Sequence, residues 1–154
     1  MVRLAHRCRP EEKKLPLLID LKPGEKIIVN GAVIENAGGG TKIRIHNHCN
    51  VLRQKEVLSE HDVVTPAARV YFCLQNAYVF SEQRERHLLA FERYLKEYVE
   101  ACPSAIPVAE EVVTQIAAGR DYHAIKAARK LLQHESMLAE YMRLNAAPDV
   151  PPSD

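Results

Sequence analysis

Apolar and polar positions change rhythm once along this chain, near residue 65. Before that point, short aliphatic and β-branched runs are separated by turn residues: Leu17-Leu18-Ile19-Asp20-Leu21, Ile27-Ile28-Val29, Ala32-Val33-Ile34 and Thr41 to His46. Runs of this length and composition read as strands. The two central runs meet at Asn30-Gly31. A type I′ hairpin turn needs φ > 0 at both central positions, which Gly adopts freely and Asn tolerates, so a hairpin is expected there. Lys22-Pro23-Gly24 marks a second turn, so the strand before Asn30 should begin near Glu25. Pro16 and Pro23 bound the first run and suit it to a sheet edge. In Thr41–His46 the alternation is complete, with Thr41, Ile43 and Ile45 on one side and Lys42, Arg44 and His46 on the other. Asn36 to Gly40 is expected to be a flexible turn. Val51–Leu58 reads as a strand or short helix, with Arg53 and Lys55 on one side if extended, and Ser59–Asp62 is a polar break.

After residue 65 the period lengthens to that of helices. Thr65-Pro66 is a helix start, with Thr as N-cap and Pro at the first helical position, where its missing N–H costs nothing. Ala67, Val70, Tyr71, Leu74 and Tyr78 follow at helical spacing, although Val70, Phe72 and Leu74 would also serve a strand. Ser81 is expected to cap a second helix carrying Leu88, Phe91, Leu95 and Val99 or Cys102, ending before Pro103. Ser104 to Ala118, stopped by Gly119, turns Val108, Val112 and Ile116 inward. Asp121 is expected to cap a last helix with Tyr122, Ile125, Ala128, Leu131, Leu132 and Leu138. Short connections between helices favour antiparallel neighbours. These signals predict an α+β chain: a small antiparallel β-sheet of hairpins over 14–64, then an antiparallel helical bundle over 65–147, with disordered extensions at 1–13 and 148–154.

Composition narrows the function classes. The 154 residues are 47% hydrophobic and 27% charged, as in a soluble globular domain. No apolar run is long enough to span a bilayer, and residues 1–10 hold basic residues without the apolar core of a signal peptide, so a cytoplasmic protein is expected. The four cysteines, Cys8, Cys49, Cys73 and Cys102, lack the spacing of a disulfide scaffold and are expected to be reduced. The net charge of +1 argues against a strongly basic nucleic-acid binder. Its distribution is uneven: residues 1–65 hold 11 Lys and Arg against 8 Asp and Glu, and residues 66–154 hold 10 against 12. If RNA is bound, the first half is the better platform.

The chemistry on offer is limited. The glycines of 38–40 are not followed by the Lys-Ser/Thr of a phosphate loop. His46, His48, Cys49 and His61 match no common zinc spacing, and no metal or cofactor is expected. Cys73 with His61 or His87 invites a thiol-nucleophile reading, but a buried inert Cys is the commoner state. No nucleophile elbow, paired carboxylates or dinucleotide fingerprint is present, so no catalytic role is expected. What remains is the cationic face of Thr41–His46. Outward-facing strand neighbours lie about 7 Å apart, close to the phosphate spacing of a nucleic acid. An ordinary solvated face, with Lys guarding a sheet edge, explains the same residues. A second basic cluster, Arg120, Lys126, Arg129 and Lys130, suits a solvated helix face.

Four blocks in order, Leu21-Lys22-Pro23-Gly24-Glu25-Lys26, Val29 to Asn36, Val51-Leu52-Arg53-Gln54-Lys55-Glu56 and Thr65-Pro66-Ala67, resemble the flagellar biosynthesis repressor family FlbT, from about Leu15 to about Asn145. The resemblance implies post-transcriptional control of flagellin through binding of the untranslated leader of its messenger RNA. It favours the RNA reading of the cationic strand, with Lys22, Lys26, Lys42, Arg44, Arg53 and Lys55 as the candidate contacts. A second reading has the helical half as an adaptor or chaperone that binds flagellin or the flagellar regulator FlaF. The residues do not decide between repression and promotion of flagellin.

Overall fold

A computed structural model of the chain describes residues 16–146. The extensions expected at 1–13 and 148–154 lie outside the described residues. Five strands come first: β1 (Leu17–Leu21), β2 (Lys26–Val29), β3 (Ala32–Glu35), β4 (Thr41–Ile45) and β5 (Val51–Arg53). Four helices follow: α1 (Pro66–Val79), α2 (Arg84–Ala101), α3 (Ile106–Ala117) and α4 (Asp121–Asn145). The fold is α+β, as the change of period predicts.

The chain divides into two compact units between Gln54 and Lys55. In the first, the strands form two antiparallel sheets rather than one. One pairs β1 with β4, and the other has the order β3-β2-β5. The reason lies in the apolar faces. Alternation gives Ile19 and Leu21 of β1 and Ile43 and Ile45 of β4 a common side, and Ile27 and Val29 of β2 with Val51 of β5 another. These side chains meet in a single cluster in which Ile19, Leu21 and Ile27 are buried, so the two sheets face each other across it. The hairpin turns at Asn30 (φ 48°) and Gly31 (φ 85°), with Val29 opposite Ala32, as the dipeptide predicts. Among the described residues β1 pairs with β4 alone and is an edge.

The loop 36–40 is tied to the β1–β2 turn by side-chain hydrogen bonds. The Asn36 amide donates to the carbonyls of Leu21 (3.1 Å), Lys22 (3.1 Å) and Gly39 (2.9 Å) and accepts from the Gly38 N–H (3.1 Å). An Asn side chain can hold a turn in this way because it carries both donors and an acceptor.

In the second unit, Thr65 caps α1 by accepting from the Ala68 N–H (3.2 Å), with Pro66 in the first turn. Glu135 of α4 accepts from the next exposed donor, the Ala67 N–H (3.0 Å). Ala67, Val70, Tyr71, Leu74 and Tyr78 are buried as a helix places them. Three expected helix starts are corrected. Ser81 does not cap an α-helix, and the helix expected from Ser104 begins at Ile106; each serine sits in a one-turn 3₁₀ segment, 81–83 and 103–105, that precedes the α-helix. Asp121 is the first residue of α4, not its cap. Its carboxylate takes a bidentate pair from Arg84 at 2.8 and 2.9 Å, a geometry a planar guanidinium favours. Helix α1 packs on α2 and α4, and α3 on α4. Phe91, Leu95, Tyr98, Val112, Ile125, Ala128 and Leu131 fill the core, together with the small residues Ala105, Ala109, Ala124 and Ala127. The segment 55–65 belongs with the helices. Tyr71 donates to the Glu56 carbonyl (2.6 Å), Tyr122 to the Glu56 carboxylate (2.7 Å), and the buried Gln75 holds both backbone groups of Leu58.

Candidate nucleic-acid interface

The strand β4 carries the cationic face. Its partner β1 sets the register, with Asp20 opposite Lys42 and Leu18 opposite Arg44. Because Ile43 and Ile45 pack against the cluster between the sheets, Lys42 and Arg44 are turned outward and are exposed. Lys42 meets Asp20 at 3.7 Å, with both side chains about seven-tenths exposed. A pair so open to water stabilises little and exchanges readily.

Lys22 extends this face. A depression of about 460 Å³ is lined by Asp20, Lys22, Pro23, Gly40, Thr41 and Lys42, so Lys22 and Lys42 stand around the same hollow. The turn that carries Lys22 is braced from several sides. Its N–H donates to the Glu25 carboxylate (2.9 Å), the Glu25 N–H to its carbonyl (3.0 Å), and the Gly24 N–H to the Asn36 carbonyl (2.7 Å). Gly24 itself has φ 74°, which a side chain would strain.

Of the other three candidates, two stand elsewhere in the β unit and one belongs to the helical unit. Lys26 lies on β2 next to the buried Ile27, so it points away from the cluster on the other sheet, 4.0 Å from Glu35. Arg53 lies opposite Ile27, and its guanidinium donates to the Glu25 carboxylate (2.8 Å) and the Asp20 carbonyl (2.7 Å). It fastens β5 to the 20–25 segment. Lys55 is exposed on the 3₁₀ segment 54–56 and belongs to the helical unit. Its carbonyl accepts from Arg129 (2.8 Å).

The Lys22 N–H, followed by the Arg53 side chain, holds the Glu25 carboxyl below its ordinary value, because both stabilise the anion. Among the described residues of the β unit, each of the three carboxylates faces a cation: Asp20 faces Lys42, Glu25 faces Arg53 and Glu35 faces Lys26. Lys22 and Arg44 have no carboxylate within ion-pair distance among the described residues. Lys22 and Lys42 thus share one hollow, Arg44 follows two residues along β4 on the same outward side, and of the three, among the described residues, Lys42 is the one in an ion pair, with Asp20.

The second basic cluster is used within its own unit. Lys130 pairs with Glu111 (2.8 Å), Arg120 donates to Gln115 (2.7 Å), and Lys126 lies over the Tyr122 ring at 5.5 Å. Burial raises the pKa of the Cys73 thiol, which lowers its thiolate fraction. Among the described residues no three His, Cys, Asp or Glu side chains come together as a metal site, and no helix is long and apolar enough to cross a membrane. Sequence reasoning missed Asn36 and Glu25 as the braces of the Lys22 turn. The only signal for them was their place inside the blocks that carry the resemblance.

The family model described as flagellar protein FlbT matches residues 17–139. Among curated proteins, the probable flagellum biosynthesis repressor protein FlbT of Caulobacter sp. (strain K31) is 31% identical over 123 residues, 79% of this chain and 94% of the relative. The protein of the same name from Rhodopseudomonas palustris (strain TIE-1) is 32% identical over 124 residues, 80% of this chain and 98% of the relative. A third, probable flagellum biosynthesis repressor protein FlbT 1 of Bradyrhizobium diazoefficiens, is 33% identical over 125 residues, 80% of this chain and 85% of the relative. No solved structure matches.

Proposed function

The chain belongs to the flagellar protein FlbT family, and from that premise we propose that it is a cytoplasmic, non-catalytic regulator of flagellar synthesis that binds the 5′ leader of flagellin messenger RNA and alters its stability or translation. The relatives are named flagellum biosynthesis repressors, which supports the regulatory role. One observation carries the RNA reading: Lys22, Lys42 and Arg44 are exposed on the outward side of the β1–β4 sheet and its turn, with the strand register and the Asn36 and Glu25 bonds setting where they stand. Ammonium and guanidinium groups held in this way suit phosphate contacts, which position a nucleic acid without reading its sequence. Sequence preference then has to come from the bases of an unpaired or looped stretch. Lys26, Arg53 and Lys55 are reassigned: Arg53 is a structural fastener, and Lys26 and Lys55 are secondary contacts at most.

The alternative, an adaptor that binds flagellin or FlaF through the helical unit, draws support from an apolar groove between α1, α2 and α4. The two readings separate in a binding experiment with purified protein. Under the RNA reading, the protein retains a labelled flagellin leader, and Lys42→Ala with Arg44→Ala weakens that complex while the fold is unchanged. Normal leader binding by the double variant, or no leader binding by the wild type, would remove the RNA reading.

A further inference from the structure

Helix α4 ends in an apolar surface that no other described residue of its own unit covers. The helix runs 25 residues, but its buried positions stop at Leu131. In its last turns Met137, Tyr141, Met142 and Leu144 are 73%, 67%, 71% and 70% exposed. Met137, Tyr141 and Leu144 follow one another at spacings of four and three, and Leu138 and Met142 at four, so they form adjoining stripes on the helix. Monomers rarely expose a contiguous apolar patch of this kind. The patch is continuous with a groove of about 340 Å³ between α1, α2 and α4, because Met142 and Leu138 line that groove along with Pro66, Tyr94 and Tyr98.

We propose that this surface seats a second copy of the chain, docked about a two-fold axis so that the α4 end of each copy covers the groove of the other. This goes beyond the RNA reading and does not rest on it. The patch carries both halves of a self-complementary fit, a ridge of exposed side chains and a groove beside it, which is what an isologous contact requires. Covering the four side chains completely together with the groove wall would remove roughly 600 Å² per copy, about 1,200 Å² for the pair, which reaches the lower end of a specific interface.

The charges around the patch favour the same occupant. Arg69 and Glu97 flank the groove, and Arg143 and Glu140 stand on the ridge as an exposed pair. A surface with both signs can face itself with opposite charges matched, whereas a nucleic acid or a strongly one-signed protein would meet like charge. The result is an assembly with two cationic strands, and an RNA able to reach both would be held more tightly than by either alone.

Light scattering on the eluting full-length protein, from low to high micromolar concentration and without RNA, tests the proposal. The wild type is expected to approach twice the 17.4 kDa of the chain. The variant Met137→Lys with Tyr141→Lys changes only exposed positions, so it should keep its helical circular dichroism and melting temperature. Its dissociation constant should rise by more than about a hundredfold, because two ammonium groups would have to be desolvated. Leu89→Lys, an exposed apolar position on α2 outside the patch, should leave the dimer intact. A wild type that stays at one chain throughout, a series of masses growing beyond two, or a lysine variant that dimerises as before would each overturn the proposal. None of these results depends on leader binding, so the dimer and the RNA reading fail separately.

Discussion

Asn30 and Gly31 show how far a single residue type can determine local structure. Both have positive φ, and the turn they make sets the register of β2 against β3. A β-branched side chain at Gly31 would be forced into the left-handed region, so Gly31→Val should cost about 1–3 kcal/mol in urea unfolding; an unchanged midpoint would contradict the assignment. Glu25 yields a prediction about pH. Its folded pKa lies below the ordinary 4.5, so the folded state binds the proton less readily than the unfolded one. Its contribution to stability is complete above the ordinary value and is lost as pH falls through the depressed one. The melting temperature of the wild type should therefore drop more steeply on acidification below pH 4.5 than that of Glu25→Gln, and parallel curves would show that Glu25 does not hold the turn. These local roles were unevenly legible. Asn-Gly announces its geometry in two adjacent letters. By contrast, the bonds from Asn36 to Leu21 and Lys22 span fifteen and fourteen residues, a separation at which no spacing rule operates.

Among the elements, α1 is the one whose start could be read most directly. Thr65 and Pro66 occupy the cap and first turn, and Thr65→Ala should lower stability by about 1 kcal/mol through the lost side-chain acceptor. Equal urea midpoints for the two proteins would mean the cap contributes nothing. The starts of α2, α3 and α4 were harder, because Ser81, Ser104 and Asp121 have cap-like residue types but different partners. Ser104 bonds the His134 ring (2.8 Å), which on its other nitrogen meets the Tyr98 hydroxyl (2.9 Å), so this serine ties a 3₁₀ turn to two helices instead of capping one. Asp121 turns its carboxylate to Arg84, 37 residues away. Residues suited to caps are suited to long-range bonds for the same reason, and the sequence does not say which use wins. The strands were legible as elements through alternation. Their division into two sheets was not, because strand pairing across 46–50 depends on which apolar faces meet.

At the scale of the whole molecule, the change of period near residue 65 gives the class α+β, and the division into units falls earlier, between Gln54 and Lys55. The segment after Gln54 joins the helical unit through Glu56 and Leu58, whose partners Tyr71, Tyr122 and Gln75 lie on α1 and α4. The candidate interface is smaller than six cations read along the sequence suggest. Strand alternation found Lys42 and Arg44, and it also grouped Arg53 with Lys55, which the fold assigns to a fastener and to the other unit. The salt dependence of leader binding reports most directly whether Lys22, Lys42 and Arg44 form the phosphate-binding face. With a slope of roughly −0.7 per contact on a single strand, three contacts predict a log–log slope near −2 for one chain, and removing Lys42 and Arg44 together should flatten it by about 1.4. Charge reversal at Lys126 and Arg129 should leave the slope close to the wild-type value. A double variant with the wild-type slope and affinity would show that RNA is not held on this face.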